Sequence, residues 1–235
     1  MKKLMLLAVV VGLSSLSWAG GRKDSLDRLT NAGMVLNEIM ATPDKGIPLE
    51  IFENAKCIAV VPRMVKGAFV FGGKHGRGVA TCRTAKGWSA PALISVGGGS
   101  WGLQIGAEQI DLVMTVMNDQ GMQRMLSNKF QVGADAAAAA GPVGRHASAG
   151  TDWKADSEIL TYSRAKGLFA GISLNGAVVE QDNDSTRDIY RKLIGQRSIL
   201  SGAVATPASA ASFMKAVRNG SNHAHAAEAK KGDKS

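Results

Sequence analysis

Glycine falls inside the apolar runs of this chain, not only between them, and that constrains the fold more than any other feature. Clusters stand at Gly72-Gly73, Gly76 and Gly78, and at Gly97-Gly98-Gly99 and Gly102, each flanked by Val, Ile, Leu or Ala. A glycine costs a helix interior about 1 kcal/mol relative to alanine. Inside a strand it permits a bend, a bulge or a close backbone approach. Aromatic residues make up only 5% of the chain, so a helix bundle is a poor fit. Many short strands with internal glycines predict a strongly twisted, Gly-rich antiparallel sheet, curled toward a barrel. Helices near both chain ends would cover it, which makes the class α+β.

The strand signals begin with Cys57-Ile58-Ala59-Val60-Val61, a buried run that Pro62 is expected to stop. Val65–Phe71 and Gly78–Arg83 read as a hairpin around a turn at Gly72-Gly73-Lys74-His75-Gly76. Trp88–Val96 and Gly102–Met117 continue in the same style. Gln131–Ala140 is rich in alanine, but its glycine flanks favour a strand. Glu158–Arg164, Leu168–Leu174 and Ala177–Glu180 follow, with Asn175-Gly176 as a hairpin turn. Helices are expected at Asp24–Ala41 with Asp24 as cap, at Leu49–Asn54, at Gly121–Asn128, and at Ser185–Ile194 before Gly195. A last one should run from Thr206-Pro207 to Asn219-Gly220. Leu26, Leu29, Gly33, Leu36 and Met40 share one face of the first. Its opposite face mixes Asp27, Arg28 and Glu38, which suits packing in the domain better than lying on a membrane.

Residues 1–19 have the form of a bacterial-type secretory signal. Lys2-Lys3 precede a short apolar run from Leu4 to Leu13, and Ser17-Trp18-Ala19 offers a cut after Ala19. Residues 20–218 then form one domain and residues 219–235 a disordered polar tail. The expected location is the periplasm or the extracellular space, peripheral to a membrane. In such an oxidising compartment Cys57 and Cys82 either pair as a disulfide or stay as buried free thiols.

Charge is the sharper functional signal. The formal net charge is +9, and two of those charges would leave with the signal. Between Ala55 and Ala107 there is no Asp or Glu, while Lys56, Arg63, Lys66, Lys74, Arg77, Arg83 and Lys86 fall there together with His75. Placed at strand ends and turns, they would form a basic edge for a phosphate-bearing partner. The competing reading is a set of solvated loop charges neutralised by Asp182, Asp184 and Asp188. Nucleic acid is disfavoured, because the stretch has few aromatics for base stacking.

Other chemistry finds little support. Gly97-Gly98-Gly99-Ser100-Trp101-Gly102 contains G-x-G-x-x-G, but no helix follows it, so a bend in a sheet is the better reading. His223-Ala224-His225 lacks a third metal ligand. His146, Ser148 and Asp152 have no G-x-S-x-G frame around them. No catalytic set, metal site or cofactor is expected, and the chain is not read as an enzyme.

Four blocks resemble the SYLF domain family. They are Trp88-Ser89-Ala90-Pro91-Ala92-Leu93-Ile94, Gly97–Gly106, Gly133-Ala134-Asp135 through Gly141-Pro142-Val143-Gly144-Arg145, and Tyr162–Gly171. They occur in family order across about Leu26 to Gly195. The resemblance implies a non-enzymatic lipid-binding module, related to eukaryotic adaptors that bind phosphoinositide membranes and, in yeast, actin filaments. For an exported chain the anionic phospholipids would be phosphatidylglycerol, cardiolipin or lipid A phosphates. Arg145 and Lys166, inside the blocks, are further candidate anion contacts. The alternative is a scaffold that binds envelope proteins.

Overall fold

The computed structural model describes residues 16–42, 46–143, 157–165 and 167–232. Its centre is a two-stranded ribbon. Strand β1 (Cys57–Thr84) is 28 residues long. It turns through the short β2 (Gly87–Trp88) into the 25-residue β3 (Ala92–Val116). β1 and β3 pair antiparallel from Cys57↔Val116 to Ala80↔Ala92.

Straight strands of this length could not form a domain of this size. At about 3.3 Å per residue, Cys57 and Cys82 would lie roughly 80 Å apart. Their Cα atoms are 3.9 Å apart, joined by a disulfide across 25 positions. The ribbon curls until its turn end meets its root, where the Arg83 N–H donates to the Lys56 carbonyl at 2.7 Å. Glycine makes this approach feasible. A Cβ on Gly78 would lie 2.6 Å from the Val60 carbonyl oxygen, and one on Gly76 2.6 Å from Val61 Cγ1.

This geometry corrects two expectations. Pro62 does not stop the strand. It sits at a bulge between Val61 and Met64, with Arg63 at φ 50°, where a missing N–H does no harm to the ladder. Gly72–Gly76 is not a hairpin turn. The segment stays in the ladder, Gly72 opposite Ser100 and His75 opposite Gly97. The chain does double back there, but by bending of the whole ribbon.

The sheet grows from β3. Its root pairs with β6 (Ile159–Ala165) and its other half with β8 (Val178–Gln181). β4 (Lys129–Gln131) adds to β8, and β7 (Leu168–Gly171) to β6. β5 (Ala138–Ala140) joins β6 in parallel, so the sheet is mixed and not wholly antiparallel. The result is a strongly curled half-barrel flanked by helices, an α+β fold. Asn175-Gly176 does form a turn, with Gly176 at φ 77°, but not a hairpin, because β7 and β8 pair with other strands.

Side chains alternate between two cores along β1. Cys57, Ala59, Val61 and Met64 enter the inner one, with Met125 of α3 (Asp119–Leu126) and Ile199 of α5 (Gln196–Leu200). Ile58 and Val60 enter the outer one. There they meet Leu29 and Leu36 of α1 (Leu16–Met40), Phe52 of α2 (Leu49–Asn54) and Phe213 of α6 (Ala211–Gly232). Phe52 and Phe213 are fully buried, which contributes about 1.5–3 kcal/mol each.

Several helix boundaries differ from expectation, among them the start of α6, which begins at Ala211 and not at Thr206-Pro207. α1 begins at Leu16, so Asp24 lies within it and is not a cap. α4 (Asn183–Tyr190) ends on the left-handed Arg191 and not at Gly195, which precedes α5. α6 does not stop at Asn219-Gly220. A Cβ on Gly220 would lie 2.6 Å from the Phe52 ring, so this glycine permits close helix packing. The helix runs on to Gly232, through most of the segment read as a disordered tail.

Candidate functional site

The curled ribbon divides the acid-free stretch into two environments. At the closed end, Arg83 folds back over the root. Its Nε donates to the Ala55 carbonyl and an Nη to the Glu53 carbonyl, both at 2.9 Å, and the guanidinium lies 4.5 Å from the Trp88 ring centre. Burial lowers its pKa. Lys56 pairs with Asp119 at 3.3 Å, and Lys86 is exposed in the turn.

Lys74 is withdrawn from water, with 9% exposure. Its Nζ donates to the Asn175 carbonyl at 3.0 Å and the Leu174 carbonyl at 3.4 Å. Burial lowers its pKa, and the charge of Lys66 adds to the effect. This lysine ties the ribbon to the turn before β8 and is not available to an outside anion.

Arg77 is half exposed, 3.9 Å from Asp182. Asp182 is held more closely by the buried Arg28 at 3.0 Å. Burial alone would push the Asp182 carboxyl up. Hydrogen bonds from Ser185 and the Arg28 charge outweigh it and hold the carboxyl below its ordinary value. Of the three expected neutralising acids, Asp182 reaches the stretch. Asp184 pairs with Arg187, and Asp188 accepts from Ser25.

Other acids approach instead. Glu108 lies opposite Lys66 in the ladder. Asp111 accepts the Arg63 backbone N–H at 2.9 Å and is bridged by Arg164, which also pairs with Glu38. Among the described residues, the side chains of Arg63, Lys66, His75 and Lys86 have no hydrogen-bond or ion-pair partner. The predicted basic residues are therefore not one edge. Arg63, Lys66, His75 and Arg77 project along the ribbon, and Lys56, Arg83 and Lys86 gather at its closed end.

Cys57 and Cys82 are bonded and fully buried. The G-x-G-x-x-G segment lies within β3. No three His, Cys, Asp or Glu side chains gather as metal ligands among the described residues. Arg145, His146, Ser148, Asp152 and Lys166 lie outside the described residues. Sequence reading missed Arg28 as a buried contact. Its place among Ser25, Leu29 and Ala32 on the buried side of α1 was the available signal.

Residues 97–220, from near the start of β3 to Gly220 of α6, match the model of a family described as Ysc84, Las17-binding protein actin regulator. The chain belongs to the Ysc84 (SYLF) family. An SH3 domain-containing protein of Schizosaccharomyces pombe is 38% identical over 168 residues, covering 70% of this chain and 39% of the relative. The rat SH3 domain-containing YSC84-like protein 1 is 33% identical over 170 residues, covering 72% and 50%. Protein YSC84 of Saccharomyces cerevisiae is 33% identical over 172 residues, covering 71% and 36%. The chain thus spans half the length of these Ysc84 relatives, or less. The family match begins within β3, so β1 and its cations precede it.

Proposed function

We propose that this chain is a non-catalytic binding module that meets anionic phospholipid head groups through the exposed cations of the ribbon. The observation that carries the reading is that the side chains of Arg63, Lys66 and His75, all on β1, find no partner within the described residues. Each lysine or arginine near an anionic bilayer contributes on the order of 1 kcal/mol. Export after cleavage at Ala19 belongs to the same reading, and the buried Cys57–Cys82 disulfide is compatible with an oxidising compartment. N-terminal sequencing of the processed protein should begin at Gly20.

Vesicle co-sedimentation tests the lipid reading. Phosphatidylglycerol vesicles should bind the chain at low salt and release it as salt is raised, because screening shortens the reach of surface charge. Charge reversal at Arg63 and Lys66 together should weaken binding at least 10-fold. Equal binding to neutral vesicles, or no loss in the double variant, would overturn it.

A second reading is a protein-binding scaffold. It is supported by a yeast relative named LAS seventeen-binding protein 3, 32% identical over 169 residues. Pull-down of a specific protein with no vesicle binding would favour it.

A further inference from the structure

We propose that a groove between α3 and β4 seats a small organic phosphate, anchored by the Arg124 guanidinium. The groove has a volume of about 480 Å³ and is lined by Gln120, Gln123, Arg124, Lys129, Phe130 and others. It uses none of the cations between Lys56 and Lys86, and it goes beyond the membrane-surface reading because its ligand needs no bilayer.

Arg124 is the deciding residue. Its Nε is buried and has no hydrogen-bond partner among the described residues. Among the described residues, the other arginines withdrawn from solvent reach an acceptor. Arg22 donates to the Asp188 carbonyl, Arg28 to Asp182, Arg83 to two carbonyls and Arg164 to Asp111. A buried, unpaired donor on a charged group is costly. The planar guanidinium edge is shaped to meet two oxygens of one phosphate or carboxylate.

The surroundings fit an anion with a substituent. Gln123 Oε1 accepts from Arg197 at 3.2 Å, which leaves its amide NH₂ as a donor. Lys129 stands at the rim, 3.4 Å from Glu180 and largely exposed. The Asp135 carboxylate in the lining accepts the Gln131 backbone N–H at 2.7 Å, and Glu180 lies outside the lining beside Lys129, so Arg124 is the lining cation without a paired acid. The volume lies within the roughly 300–1,000 Å³ of small-molecule sites and exceeds what a bare phosphate ion fills. Phe130, almost fully buried, supplies an apolar wall for the remainder.

The test is an amide and side-chain NMR titration of the full chain with inorganic phosphate, glycerol 3-phosphate and acetate. Each is run against chloride at matched ionic strength. Saturable shifts are expected at Arg124 Nε–H and at the Gln120 and Gln123 side-chain amides, with glycerol 3-phosphate binding several-fold more tightly than inorganic phosphate. Arg124→Gln should lose at least 10-fold in affinity. Arg124→Lys should lose most of it too, since a point charge lacks the fork. Gln123→Ala, which leaves the charges in place, should lose several-fold and guards against a folding defect in the first variants. Shifts that follow ionic strength alone, acetate binding as tightly as the phosphates, or unchanged affinity in Arg124→Gln and Gln123→Ala would overturn the proposal. Phosphatidylglycerol vesicles that displace glycerol 3-phosphate would trace the phosphate to a lipid head group, and failure to displace it would trace it to a soluble ester. Either result supports the seat. Wild-type vesicle binding by Arg124→Gln would keep this site separate from the ribbon surface.

Discussion

The closed end of the ribbon and its outer stretch carry the same residue types and put them to opposite uses. At the closed end Arg83 meets two carbonyls and an aromatic face, beside the disulfide that joins Cys57 to Cys82. Along the outer stretch the side chains of Arg63, Lys66 and His75 have no hydrogen-bond or ion-pair partner among the described residues. A cation held by the chain's own carbonyls stabilises the fold and is lost to ligands. A cation facing water contributes little to stability and remains able to bind. Charge count alone cannot separate the two.

Variants at the two ends should therefore fail in different ways. The largest effect is expected at the ion pair behind Arg77. Arg28→Met leaves Asp182 buried without its closest cation and should cost about 3–5 kcal/mol in denaturant unfolding. A loss below about 1 kcal/mol would mean that the pair behaves as a surface one. Removing the clasp comes next. The double variant Cys57→Ala, Cys82→Ala frees a 25-residue loop and should cost about 3.5 kcal/mol on the chain-entropy estimate, with vesicle binding kept wherever the variant remains folded. Arg83→Ala strips the Ala55 and Glu53 carbonyls of a donor and should cost about 1–3 kcal/mol.

Asp182 adds a pH signature. Its carboxyl titrates lower in the fold than in the unfolded chain, so on acidification the unfolded state takes up the proton first. Its contribution is complete above the ordinary carboxylate value of about 3.9 and is lost as the pH falls through the lowered folded value. Asp182→Asn should flatten the acid limb of a stability–pH curve, and an unchanged limb would remove Asp182 as its source. The smallest stability effect belongs to the outer stretch. Lys66→Ala should change unfolding by less than about 0.5 kcal/mol while weakening vesicle binding several-fold. A large stability loss there would erase the contrast between the two ends.

Much of the fold was legible in the residues. The run Cys57–Val61, apolar at every position, announced a strand buried on both faces, and both cores do use it. Leu29 and Leu36 marked the buried face of α1. The errors share one cause. Gly72–Gly76, Pro62 and Gly220 all look like punctuation when only neighbours in the chain are considered. In the fold each answers to something distant: the β3 ladder, a bulge opposite β3, and the ring of Phe52. The candidate site was legible as a list of cations but not as a surface. Lys74 looked like a turn residue, and its partners lie 100 and 101 positions away.

From the sequence came the strand and helix periods, the glycines that let a ribbon bend, and a stretch of cations without acids. These depend on side-chain alternation and local backbone freedom, which neighbouring residues set. The fate of each charge was settled by packing. Arg28 meets Asp182 across 154 positions, Lys74 reaches Asn175, and the Arg124 Nε is buried with no acceptor among the described residues. Desolvation and hydrogen bonding act over a few ångströms of space, and only the folded chain determines which groups come that close.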